Sequence, residues 1–159
     1  MRAAENLGRF IWQGCCVSPR ESYDQHVSNE RRVREFWQRV WSVGQVQYAH
    51  EFFSDPYVEN DRERTPEGHA KGAVAFREFF PDFTAEVVRL ISTDNVVVSR
   101  VIYRGTYAGG WAGVSRVGTQ VEVSGLDVFF FEAGVVVEHL HEADHEGLWE
   151  QLGVAFPSG

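Results

Sequence analysis

The stretch Val121–His141, VEVSGLDVFFFEAGVVVEHLH, decides how this chain folds. Apolar and polar residues alternate through Thr119 to Phe131, which is the period of a strand with one buried face. Glu132-Ala133-Gly134 is a tight turn, and Val135 to Ala143 alternates again, so the two runs form an antiparallel hairpin. Asp127 shares its face with Val121, Val123, Gly125, Phe129 and Phe131, the inward face. His139 and His141 share one face of the second run and come close to the strand that carries Asp127.

Working outward, two more strands precede the hairpin. Phe83 to Ser92 and Val96 to Tyr107 are joined by the turn Thr93-Asp94-Asn95, and a glycine-rich loop from Gly109 to Gly118 leads on to Thr119. Upstream the period becomes helical. Ser28 or Asn29 is expected to cap a first helix whose stripe is Val33, Phe36, Trp37, Val40 and Trp41, ended by Gly44. A short helix with Val46, Ala49, Phe52 and Phe53 on one side is broken by Asp55-Pro56, and Tyr57 to Asn60 reads as a brief strand. Thr65-Pro66-Glu67 starts a third helix that stops before Pro81. Asp144 is placed to cap a last short helix around Leu148, Trp149 and Leu152.

Helices followed by a meander of long antiparallel strands give an α+β domain with the helices on one face of the sheet. Long strands twist and curl, and a curled sheet with helices across its concave face encloses a cone-shaped pocket. The domain is expected over 28–153, with an N-terminal extension over 1–27 and a short tail over 154–159. The twelve Phe, five Trp and five Tyr exceed what so small a core needs, which points to a lined cavity or an apolar subunit interface.

Charge and hydropathy exclude several classes. The net charge of −8 opposes binding to nucleic acid phosphates. No apolar stretch is long enough to span a bilayer, and no basic amphipathic segment suggests a membrane surface. A secretory signal is not expected at the N-terminus. The only cysteines, Cys15 and Cys16, are adjacent and build no ordinary staple, so a reducing cytoplasm is expected.

The segment Val121–His141 resembles the SnoaL-like polyketide cyclases of the nuclear-transport-factor-2-like superfamily. The resemblance lies in Gly125-Leu126-Asp127, in Glu132-Ala133-Gly134 and in Glu138-His139. It extends to the aromatic Phe36-Trp37 to Trp41 helix, the Phe79-Phe80-Pro81-Asp82-Phe83 junction, Arg104-Gly105-Thr106, and the closing Gly147 to Gly153. Two departures stand near the expected pocket: Arg116-Val117-Gly118-Thr119 replaces a proline-threonine-glycine turn, and Leu140 stands where the family often has Trp. The resemblance implies the cone-shaped α+β barrel, a small apolar or aromatic substrate, no cofactor or metal, and homodimerisation. It also implies ring closure by an aldol-type or epoxide-opening step.

Asp127 is the first candidate for chemistry. Among Val and Phe its carboxyl loses solvation, which is expected to raise its pKa and let it act as an acid or hydrogen-bond donor. The alternative is a structural Asp satisfied by a neighbouring His. His139 and His141 are the candidate partners, able to move a proton or hold an oriented imidazole. His-x-His with an acid also suits zinc or iron. Phe36, Trp37, Phe53 and Phe129 are expected in the core or cavity wall, and Tyr48, Asn60, Tyr103 and Trp111 as further substrate contacts. His69, Lys71 and His145 read as surface groups. A non-catalytic binding domain and a hydrolase or dehydratase on the same fold are the competing functions.

Overall fold

The stripe of Val33, Phe36, Trp37 and Val40 lies fully inside the protein, and this buried edge of the first helix sits across the concave face of a single sheet. The computed structural model describes residues 19–155. The expectations for Cys15, Cys16 and the rest of residues 1–18, and for 156–159, lie outside the described residues.

The first helix, α1, spans Pro19–Phe36 and continues as a wider π-helical segment, Trp37–Val43. It is already helical at Pro19, the first described residue, so Ser28 and Asn29 lie inside it and do not cap it. Asn29 serves inside the helix: it is fully buried, accepts from Gln25 Nε2 at 2.9 Å and donates to the carbonyl of Asp94 at 3.4 Å. Its side chain ties the helix to a strand turn instead of capping. Gly44 ends the helix in the left-handed region, as its position in the sequence indicates.

A single turn at Val46–Tyr48 and the short α2, Ala49–Phe52, lead into β1, Phe53–Glu59. The strand therefore begins before Asp55-Pro56 rather than after it. Its pairing with the strand carrying His139 is interrupted between Phe53 and Val58. Pro56, which cannot donate to a ladder, falls inside that interruption. Asn60 and Asp61 both take positive φ and turn the chain into a strand the alternation did not reveal, β2, Arg62–Arg64. Two successive left-handed residues match the twist of a hairpin, and Asn and Asp tolerate that conformation.

The third helix, α3, spans Pro66–Phe79, and the Thr65 hydroxyl accepts from the Gly68 amide at 3.1 Å as a cap. The long strands follow: β3 Thr84–Ser92, β4 Val96–Thr106, β5 Gln120–Glu132 and β6 Val135–Ala143. The last helix, α4 His145–Gln151, is capped by Asp144, which accepts from the Gly147 amide at 2.8 Å. The sheet order is β2-β1-β6-β5-β4-β3, antiparallel except where β1 runs parallel to β6. The expected α+β architecture, with helices across the concave side of a curled sheet, is the one observed. No helix among the described residues is long and apolar enough to cross a membrane.

Register decides which side chains meet. Asp127 stands directly opposite His141, and Phe129 opposite His139. A bulge shifts the β5–β6 register between Phe130 and Phe131, nearer the turn than these pairs. It lets Val136 and His139, an odd number of residues apart, both point into the core. In parallel register, Glu59 of β1 lies beside His139.

Candidate functional site

The concave face and the helices enclose a cavity of about 540 Å³, a size typical of small-molecule sites. Its wall is largely aromatic, with Trp37 and Trp41 from the π-helical segment, Phe76 from α3 and Tyr103 from β4. Its polar groups include Tyr57 and Glu59 on β1, His139 and His141 on β6 and His69 on α3, with Arg64, Arg104 and His145 also on the lining.

Asp127 is fully buried behind this wall. Its Oδ1 lies 2.7 Å from His141 Nδ1 and 3.0 Å from His139 Nε2, and Tyr103 donates its hydroxyl to Oδ2 at 3.1 Å. The Tyr103 ring reaches Asp127 by crossing β5 above Gly125, where an added Cβ would stand 2.5 Å from the ring. The Gly-x-Asp spacing thus has a steric cause: glycine clears the path by which a tyrosine meets the carboxylate two residues on.

The other nitrogen of His139, Nδ1, lies 3.2 Å from Glu59 Oε2, so this imidazole bridges two carboxylates. Glu59 Oε2 also accepts from the Tyr57 hydroxyl at 3.3 Å, and Tyr57 in turn lies 3.0 Å from His69 Nδ1. Phe129 stacks flat on His139 with 4.4 Å between ring centres and fixes its orientation. The result is a continuous chain from His141 through Asp127, His139 and Glu59 to Tyr57 and His69.

The electrostatics of the chain correct one expectation. Burial raises the pKa of Asp127, but hydrogen bonds from His139 and His141 outweigh it and hold the carboxyl below its ordinary range. Asp127 is therefore a carboxylate that accepts, not a neutral acid that donates. Glu59 behaves alike: burial raises it, His139 and His69 lower it further, and it stays ionised. Burial opposes charge on His139, yet Asp127 and Glu59 raise its pKa, as the imidazolium between two anions. His69 goes the other way, because burial outweighs the pull of Glu59 and keeps the ring neutral. Tyr57 and Tyr103 are raised, by burial first and by their carboxylate partners second, so both remain hydrogen-bond donors.

The predicted residues fall into two sets. Asp127, His139, His141 and Tyr103 meet, and Trp37, His139, His141 and Tyr103 face the cavity. The others stand off its wall. Phe36 and Phe53 are core, with Phe53 stacked on Tyr57 at 4.1 Å. Phe129 backs His139 from behind. Tyr48 donates to Glu35 at 3.0 Å and carries Arg39 on its ring face, on the far side of the helices. Trp111 packs among Phe79, Tyr107 and Trp149. Asn60 grips the backbone of His141, donating to its carbonyl and accepting from its amide, both at 2.9 Å, and so holds β6 in register.

Sequence reasoning passed over Glu59, and it assigned His69 to a solvated surface. Its side chain is only 8% exposed and lies on the cavity wall. The brief strand at Tyr57 to Asn60 is legible in the sequence, but its partner is not: once β1 pairs beside β6, Tyr57 and Glu59 point inward and α3 turns His69 toward them. His145 is exposed, as expected, but stands at the rim of the cavity.

Asp127, His139 and His141 each offer a ligand atom, all within 4.8 Å of one another, the kind of set that can hold a divalent cation. Those atoms already bond to one another, and a metal would replace the hydrogen bonds that His139 Nε2 and His141 Nδ1 make to Asp127.

Comparison with known proteins decides the family. The profile for SnoaL-like polyketide cyclases matches residues 31–152. The chain belongs to that family. Solved structures agree on the fold. TsrD from Streptomyces laurentii is 22% identical, with a TM-score of 0.72, covering 80% of this chain and 96% of that one. IdmH from Streptomyces antibioticus is 24% identical with a TM-score of 0.72, covering 79% and 99%. A SnoaL-like polyketide cyclase from Agrobacterium tumefaciens is 17% identical with a TM-score of 0.69, covering 79% and 98%. Among curated protein sequences, none matches this chain. This SnoaL-like domain thus has the nuclear-transport-factor-2-like fold and a pocket suited to a small molecule.

Proposed function

We propose that this SnoaL-like protein is a cyclase or isomerase of polyketide-like natural products, working by acid–base catalysis without a cofactor. The observation that carries the reading is the His141–Asp127 pair: a cavity-facing imidazole, 32% exposed, whose Nδ1 lies 2.7 Å from a wholly buried carboxylate. A buried acceptor fixes the proton on Nδ1 and leaves Nε2 to meet a substrate.

The reaction is redox-neutral. His141 Nε2 takes the proton from a carbon next to a carbonyl, and the resulting enolate attacks a second carbonyl of the same molecule. A carbon–carbon bond forms, the attacked carbonyl becomes an alkoxide, and the proton on His141 passes to that oxygen. Asp127 stabilises the transient imidazolium without taking up the proton. Opening of an internal epoxide by a hydroxyl uses the same two transfers: proton from the hydroxyl, proton to the epoxide oxygen. The aromatic wall folds the substrate so that its ends meet, which supplies much of the rate for an intramolecular step.

The test is turnover of candidate polyketide, enone and epoxy-alcohol substrates by the wild type, His141→Ala and Asp127→Asn. Both variants are expected to lose activity. Full turnover by both would overturn the assignment.

A further inference from the structure

Two side chains of the cavity wall each carry a buried nitrogen with no hydrogen-bond partner among the described residues: His69 at Nε2 and Trp41 at Nε1. Their rings meet edge to face with 5.6 Å between centres. Both belong to elements other than those of the His141–Asp127 pair, α3 and the π-helical segment. Buried polar atoms without partners are costly, and where they cluster on a cavity they mark where a ligand completes the bonding.

Glu59 is a carboxylate and only accepts, so the Tyr57 hydroxyl gives it its one proton. In the tautomer we assign, the Tyr57 oxygen then accepts from His69 Nδ1 at 3.0 Å and the ring proton sits on Nδ1. With the ring neutral, Nε2 presents a lone pair. Trp41 Nε1 can only donate. One acceptor and one donor, on rings that meet edge to face, match a neutral hydroxyl, which gives its proton to His69 and takes the Trp41 N–H. A carboxylate does not match, because it would face the His69 lone pair with the Glu59 carboxylate just behind it, 3.7 Å from His69 Nδ1. The neighbouring wall leaves room: a Cβ at Gly72, on the same helix, would meet nothing within 4 Å.

We infer that His69 and Trp41 form a hydroxyl-binding subsite, separate from the His141–Asp127 pair, that positions an enol, phenol or alcohol group of the substrate. The inference rests on the reading that this cavity takes a small-molecule substrate, and not on the acid–base step.

The experiment is calorimetric titration of the full chain with 2-naphthol and with 2-methoxynaphthalene, which has the same ring and no O–H to give. Wild type is expected to favour the naphthol by about tenfold. His69→Asn keeps a polar atom near the Nδ1 position and removes Nε2, and Trp41→Phe removes the donor. Each should bring the ratio close to one. His69→Gln, which can place an acceptor near Nε2, should retain part of it. His141→Ala should keep the full ratio, whatever it does to turnover, so failure of the subsite and failure of the acid–base reading give different results. The inference is overturned if wild type binds both probes equally or neither. It is also overturned if the preference survives in folded His69→Asn and Trp41→Phe, or is lost in His141→Ala while they keep it.

Discussion

Gly125 and Tyr103 fit together so closely that glycine's missing side chain is filled by the tyrosine ring. A Cβ there would lie 2.5 Å from Cε2 and 2.8 Å from the hydroxyl that donates to Asp127. The smallest residue on β5 therefore governs the environment of the most buried charge in the site. Gly125→Ala should push the Tyr103 ring aside and break its bond to Asp127. The expected cost is about 1–3 kcal/mol of stability. Thermal unfolding of Gly125→Ala, Tyr103→Phe and the double variant checks it. Strong non-additivity is expected, because both changes act on one contact.

The chemistry proposed for His141 predicts a steep dependence on its partner. Asp127→Asn keeps the shape but removes the charge that orients and supports the imidazole. Turnover should fall by about 10²- to 10⁴-fold with little change in KM. Single-turnover rates at saturating substrate separate this from a binding defect.

His139 has a different part. It bridges Asp127 and Glu59 and is 3% exposed, so its removal would leave two carboxylates facing each other out of water. His139→Ala should cost about 3–5 kcal/mol. Chemical denaturation should show it, and adding Glu59→Gln should recover part of the loss by removing one of the two charges.

These groups also set a pH dependence of stability. Asp127 and Glu59 are held below their ordinary values of 3.8 and 4.5. Their contribution is complete above pH 4.5 and is lost as pH falls through the lowered folded values. His139 is raised above 6.5, so its contribution is complete below pH 6.5 and lost as pH rises through the folded value. His69, lowered from 6.5, counts against stability below that pH, because the unfolded ring binds the proton more readily. Melting curves between roughly pH 3 and pH 9 should therefore fall on both sides of a mildly acidic maximum. His139→Gln should abolish the alkaline fall and keep the acid one.

Much of this protein was legible along the chain, because local spacing carries that information. Alternation across Thr119–Phe131 and Val135–Ala143, with a turn between, was enough to bring His139 and His141 near the strand of Asp127, but the bulge between Phe130 and Phe131 is what sets Asp127 opposite His141. Thr65 and Asp144 cap helices because a hydroxyl and a carboxylate reach the nearby amides of Gly68 and Gly147. Gly44 ends a helix because it alone enters the left-handed region without strain. What tertiary structure decided lies between segments distant in sequence. Asn29 looks like a cap until the carbonyl of Asp94 stands beside it. Glu59 and His69 carry no periodic signal that marks them, and they enter the site only because β1 pairs with β6 and α3 folds over both. The charge of Asp127 was the clearest reversal. Its apolar neighbours on β5 argue for a neutral acid, but the two histidines across the hairpin, one of them held by Glu59 from β1, make it an anion. Sequence fixes which face a side chain takes, whereas its proton depends on every partner the fold brings within hydrogen-bond reach.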